Sequence, residues 1–224
     1  MKEIEKFYQS LMQDVVTMQS GDEEGNTREQ IFTRICLDLL SDAAETGTGL
    51  VAYDERDLKK KGQHKINGYA ISDNYETVDL FITLYANTTE IRTISKSEVD
   101  TASRMITNFF RRAVYNDYVN EIAESSEIFE FANRLANYAE LRNNLIRVNA
   151  FILTNGTYKG ELPASQTICG YNIYYKVIDI EYLYKISEQA GVPIELDFED
   201  LNGLRYDICL LYTSPSPRDP KTSR

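Results

Sequence analysis

Between Thr77 and Tyr85 the chain repeats every two residues, with Val78, Leu80, Ile82 and Leu84 on one side and Asp79, Phe81, Thr83 and Tyr85 on the other. Only an extended strand sends alternate side chains to opposite faces, so this segment commits the fold to a sheet. Ser72-Asp73-Asn74-Tyr75-Glu76 just before it has the short polar side chains that stabilise turns. Lys65 to Ile71 reads as the preceding strand, and the two are expected to form a hairpin. Leu50 to Tyr53 supplies a further extended segment, and Gly68 inside a strand points to a bulge or a close backbone approach.

Helical spacing surrounds this unit. Ile4, Phe7, Tyr8, Leu11, Val15 and Met18 recur at three- and four-residue steps, predicting a helix over residues 3 to 19. Asn26 or Thr27 caps a second one carrying Ile31, Ile35, Leu39 and Leu40, which closes before Gly47 and Gly49. The longest helix is predicted over residues 96 to 122 with a Ser97 cap, and another runs from Ser125 or Ser126 to about Arg142. Strands follow at Leu145 to Leu153, ending at Asn155-Gly156, and at Tyr171 to Ile178. Asp179 then caps a helix from Ile180 to Gln189. Helices separating extended segments in this order argue for an α/β domain with a mixed sheet.

The formal net charge is −11. A surface this acidic repels a phosphate backbone unless a local basic patch overrides it, so nucleic-acid binding does not follow from composition. Cys36 and Cys169 have no paired spacing and His64 is the sole histidine, which argues against a zinc module or a disulfide scaffold. The charged start and the lack of an eighteen-residue apolar run give no secretion signal or membrane span, so the expected location is the cytoplasm and no membrane partner is expected.

Residues 209–224 have a different character. Cys209-Leu210-Leu211-Tyr212-Thr213-Ser214-Pro215-Ser216-Pro217-Arg218-Asp219 resembles translated library adapter, the mosaic end and primer tail of a transposase preparation. Three of the 5 prolines fall here, with no apolar periodicity after Tyr212. The expected organisation is a domain over residues 1–208, a disordered adapter-derived tail over 209–224, and a gene cut near Ile208 with its C-terminal region missing.

The order and spacing of several segments resemble the N-terminal domain of the abortive infection phage resistance (AIPR) family. They are Glu29-Gln30-Ile31-Phe32, Ile66-Asn67-Gly68-Tyr69-Ala70-Ile71, Val78-Asp79-Leu80-Phe81-Ile82, the Asp100-to-Phe110 helix, and Asn149 to Asn155. The resemblance implies a bacterial intracellular phage-defence protein in which this module precedes a C-terminal region, its expected partner. It also implies a restriction-endonuclease-like fold: a mixed sheet flanked by helices and preceded by an N-terminal helix.

Such nucleases carry an acid near the start of the second strand and a Glu/Asp-x-Lys triplet on the third. Two carboxylates hold a divalent ion against the scissile phosphate while the lysine orients water. With a turn at Asn74-Tyr75, residue 67 lies opposite residues 82 and 83, so the first acid position is Asn67 and the triplet is Thr83-Leu84-Tyr85. An amide, a hydroxyl and a phenol make a poor magnesium site. Glu29 on the preceding helix remains a usable carboxylate, and Asp79 shares the Thr83 face nearer the turn. The candidate catalytic positions Glu29, Asn67, Asp79 and Thr83 therefore read as degenerate, and no cofactor is expected. The competing reading is a magnesium-dependent nuclease on DNA or RNA that uses Glu29, Asp79 and Lys65 in a shifted arrangement.

The run Asp57 to Lys65 holds four lysines and is the main basic cluster. Lys60, Lys61, His64 and Lys65 are its candidate nucleic-acid contacts, against the simpler reading of a solvated loop. Arg104, Arg111 and Arg112 flank a site or form an ordinary charged helix face. Tyr171, Tyr174, Tyr175, Tyr182 and Tyr184 suggest a half-buried surface for partners, including a second copy of the chain. The leading expectation is a sensing, scaffolding or oligomerising module.

Overall fold

A computed structural model describes residues 2–22, 25–56, 63–115 and 118–189. The chain divides at Val192; the second unit, Pro193–Arg224, with the adapter-like segment, lies outside the described residues.

In the first unit, β1 (Leu50–Arg56), β2 (His64–Ile71), β3 (Thr77–Leu84), β4 (Arg147–Thr154), β5 (Gln166–Ile168) and β6 (Tyr171–Ile178) form one sheet ordered β1-β2-β3-β4-β6-β5. β1, β2 and β3 pair antiparallel, β3, β4 and β6 run parallel, and β5 pairs antiparallel with β6. A parallel neighbour needs a long crossover. It is supplied between β3 and β4 by α3 (Lys96–Val114), a 3-10 turn (Val119–Glu121), α4 (Phe129–Asn137) and α5 (Ala139–Asn144).

The period-two pattern of β3 sorts its side chains as the sequence predicts. Val78, Leu80 and Ile82 join Val148, Ala150 and Ile152 of β4 in a core against α3 and α4. Phe81 faces the other way, with Phe151, Leu153 and Ile178, onto α1 (Glu3–Ser20), α2 (Arg28–Asp42) and α6 (Ile180–Gln189). Phe109 and Phe110 of α3 are fully buried, each stabilising the fold by roughly 2 kcal/mol. The result is a mixed sheet between two helical layers, and the run α2-β1-β2-β3-α3 to β4 has the helix, three-strand, helix, strand order of a restriction-endonuclease-like core.

Local chemistry sets the boundaries. Thr27 and Gln30 form a reciprocal capping box at α2: Gln30 N donates to Thr27 Oγ1 and Thr27 N to Gln30 Oε1. α3 is capped by Ser95, not by Ser97, because Glu98 stands three residues on and accepts from Ser95 N at 2.9 Å. α3 also stops at Val114 instead of 122. Tyr118 is drawn fully into the core, its hydroxyl donating to Asp54, and a continuing helix would carry it away. The helix predicted to Arg142 breaks at Tyr138, whose backbone is extended and whose ring meets Tyr75 at 5.6 Å. β5 is too short to show a period. Asp179 caps α6 as expected, accepting from Tyr182 N at 2.9 Å.

The Gly68 signal is a close backbone approach: a Cβ there would stand 2.7 Å from the Leu50 carbonyl oxygen, and the bulge lies on the facing strand, where the β1 register slips between Val51 and Asp54. No helix among the described residues is long and apolar enough to cross a membrane.

Candidate functional site

The start of β2, the end of β3 and the first turn of α2 bring together the polar residues singled out at this end of the sheet. The β2–β3 ladder runs from Ile71↔Val78 to Gly68↔Phe81. Beyond it the Asn67 side chain takes over the pairing, its Oδ1 accepting from Thr83 N at 2.8 Å. The predicted opposition of residue 67 to residues 82 and 83 is met by this side chain. Asn67 Nδ2 donates to Glu29 Oε1 at 2.6 Å, and Lys65 Nζ reaches the same oxygen at 2.6 Å. Lys65 Nζ also donates to the Thr83 carbonyl at 3.3 Å. Thr33 Oγ1 donates to the Glu29 carbonyl at 2.7 Å, which leaves the Thr83 hydroxyl to donate to Thr33 at 2.7 Å. Asn67 and Thr83 are fully buried, whereas the Glu29 side chain keeps 25% of its surface.

Asp79 is not in this cluster. It lies four residues from Thr83 along β3, roughly 13 Å at strand rise. Between them Phe81 stacks on Phe151, with ring centroids 5.1 Å apart. The Asp79 carboxyl accepts from Asn149 Nδ2 at 2.7 Å, and burial pushes its pKa above the ordinary value, against the lowering effects of Asn149 and Arg147. A group whose folded pKa is raised contributes stability that is fully present below its unfolded pKa of 3.8 and lost as pH rises through the folded value. Asp79→Asn is therefore expected to gain stability relative to the parent as pH rises from 4 to 7, measured by urea midpoints across that range. A constant difference would show that Asp79 titrates alike folded and unfolded.

A divalent ion does not fit the donors around Glu29. One carboxylate oxygen is already neutralised by an ammonium and a donated amide hydrogen, Asn67 Oδ1 is turned to a backbone amide, and Thr83 offers only a committed hydroxyl. Tyr85, the third triplet position, packs on Phe32 at 5.5 Å with its hydroxyl buried. Among the described residues no three His, Cys, Asp or Glu side chains gather where they would hold a metal ion.

The nucleic-acid candidates separate. Lys60 and Lys61 lie outside the described residues. Lys65 is spent on Glu29. His64 is neither a solvated loop residue nor a phosphate contact: it opens β2 with no exposed surface. Its Nε2 meets Asp54 Oδ2 at 2.7 Å and its Nδ1 meets Arg112 Nη1 at 3.0 Å. The neutral tautomer with hydrogen on Nε2 satisfies both, since arginine only donates. Tyr118 completes the network, with the guanidinium groups of Arg56 and Arg112 at 4.9 and 5.0 Å from its ring centroid, both tied to Glu121. Arg104, Arg111 and Arg112 belong to α3 on the opposite sheet face, so they do not flank Glu29.

The tyrosines do not make one continuous surface. Tyr171 and Tyr175 face α3, Tyr174 and Tyr182 face the other way, and Tyr184 packs on Phe7 of α1. Beside Tyr174, Arg147, Lys176 and Glu45 line a cleft of about 460 Å³ that the sequence reading passed over. Its signal was there: a cation two residues from a polar or aromatic residue on each of two strands, Arg147-x-Asn149 and Tyr174-x-Lys176.

These features define an α/β domain with a restriction-endonuclease-like order of elements, in which Glu29 is held by Lys65 and Asn67. A family model for the abortive infection phage resistance protein N-terminal domain matches residues 32–185, well over half the chain, and the protein belongs to that family. No curated protein and no solved structure matches the chain.

Proposed function

We propose that this domain is a catalytically degenerate module of a cytoplasmic abortive-infection phage-defence protein, which senses, scaffolds or oligomerises while another part of the protein acts. The observation that carries this reading is the state of Glu29, whose carboxylate is neutralised by Lys65 and accepts from the Asn67 amide. Its partners on this view are a C-terminal region of the same protein and further copies of the chain, with no cofactor. The competing metal-dependent nuclease needs Asp79 beside Glu29, and Phe81 stands between them.

The test is incubation of the purified protein with supercoiled plasmid DNA and with RNA, in magnesium and in manganese. No cleavage above the Glu29→Ala background is expected. Metal-dependent cleavage that Glu29→Ala abolishes would overturn the proposal.

A further inference from the structure

Asp79, Asn149 and Tyr174 stand in register across β3, β4 and β6, on the sheet face away from α3. Arg147 lies two residues before Asn149 and Lys176 two residues after Tyr174, hence on the same face but roughly 13 Å apart along the strands. A hydrogen-bonded relay ties Asp79, Asn149 and Arg147. The buried Asp79 carboxylate holds Asn149, and Asn149 Oδ1 accepts from Arg147 Nε at 2.6 Å. The guanidinium also lies over the Tyr174 ring, 4.6 Å from its centroid. This exposed arginine is thus fixed in plane and in position, while its two Nη nitrogens have no acceptor among the described residues.

A guanidinium held this way is a preorganised fork for a planar or tetrahedral oxyanion. Lys176 lines the same cleft, donating to Glu45 at 2.7 Å and to the Tyr182 hydroxyl at 2.9 Å, which leaves one of its three hydrogens free. Two cations against Glu45 make the cleft wall positive on a chain of net charge −11, although the Asp79 carboxyl lies behind Asn149. The volume of about 460 Å³ exceeds what a bare anion fills and suits a small organic ligand. Tyr174 is 40% exposed and offers ring surface to an aromatic group.

We propose that this cleft binds a phosphomonoester of mononucleotide size, with the Arg147 fork on the phosphate, Tyr174 against the base and the Lys176 ammonium at the far end of the cleft. The source of that phosphate is either a free nucleotide or the 5′ end of a strand. This gives the sensing reading above a ligand and rests on it. Asp79 is a positioning residue in this site, acting through Asn149.

The experiment is calorimetric titration of the full 224-residue chain with AMP, adenosine and a 5′-phosphorylated tetranucleotide with its unphosphorylated twin. AMP is expected to bind with a dissociation constant below about 1 mM and adenosine at least tenfold more weakly. Arg147→Ala and Arg147→Lys each lose at least tenfold, the lysine because it lacks the fork. Asp79→Asn keeps an acceptor for Asn149 and retains affinity, whereas Asp79→Ala loses several-fold. Tighter binding of the phosphorylated tetranucleotide than of AMP, with the same dependence on Arg147, supports the site and identifies strand ends as the source. No binding of either phosphate below 1 mM, or binding indifferent to Arg147→Ala in a variant with unchanged circular dichroism, overturns the proposal. The plasmid assay reads Glu29 and the titration reads Arg147. Cleavage with AMP binding removes the scaffolding reading alone, and neither cleavage nor binding removes the cleft alone.

Discussion

Replacing His64 with alanine is expected to lower the stability of the domain by about 3 kcal/mol, the cost of leaving buried polar partners short of a hydrogen bond and opening a cavity. The imidazole has no exposed surface and links Asp54 to Arg112, with the Phe109 and Tyr118 rings edge-on at 5.8 and 4.9 Å. Its loss strips Asp54 of one of two donors and opens a space between those rings. The measurement is a urea unfolding curve, where the midpoint falls at constant slope. A shift worth less than about 1 kcal/mol would mean that solvent already reaches the network, because a solvated pair contributes only that much. The pH dependence has a definite sign. Burial raises the Asp54 pKa, but hydrogen bonds from His64 and Tyr118, with the charge of Arg56, outweigh it and hold the carboxyl below its ordinary 3.8. Stability from such a group is present above the unfolded value and lost as pH falls through the folded one. The gap between parent and His64→Ala therefore narrows below pH 3.8.

Asn67→Asp is expected to cost about 3 kcal/mol, since it buries a carboxylate against another. Its oxygen still accepts from Thr83 N, but the group 2.6 Å from Glu29 Oε1 changes from a donor to a like charge that Lys65 alone must balance. The same change supplies the second carboxylate that metal-dependent nucleases need. Millimolar manganese is therefore expected to raise the melting temperature of Asn67→Asp while leaving the parent unchanged. Manganese stabilising both proteins alike would show that Glu29 binds the ion without a second acid, and would return the nuclease reading to the front.

Most of the fold was legible because apolar period is a local signal. The alternation in β3, the turn at Ser72 to Glu76, the Thr27 cap and the α1 stripe each involve residues within a few positions of one another, and all appear in the structure. Even the opposition of Asn67 to Thr83 followed from counting out from a turn. One error falls where a distant partner overrides local preference, since Tyr118 ends α3 early for Asp54, and the other is local, since Ser95 displaces Ser97 because Glu98 reaches back to it.

The sequence by itself determined which residues share a strand face, and hence that Asn67 and Thr83, an amide and a hydroxyl, meet across the β2–β3 hairpin. Tertiary structure alone decided what the charged groups do. Lys65 and Glu29 are 36 residues apart yet share one oxygen contact, His64 is enclosed by Asp54 and Arg112, and Asp79 supports Arg147 instead of Glu29. Periodicity reports burial, a property of one residue and its face. The partner of a charge depends on which strands become neighbours, and the β3-β4-β6 order that unites Asp79 with Asn149 and Tyr174 is set by packing across almost one hundred residues.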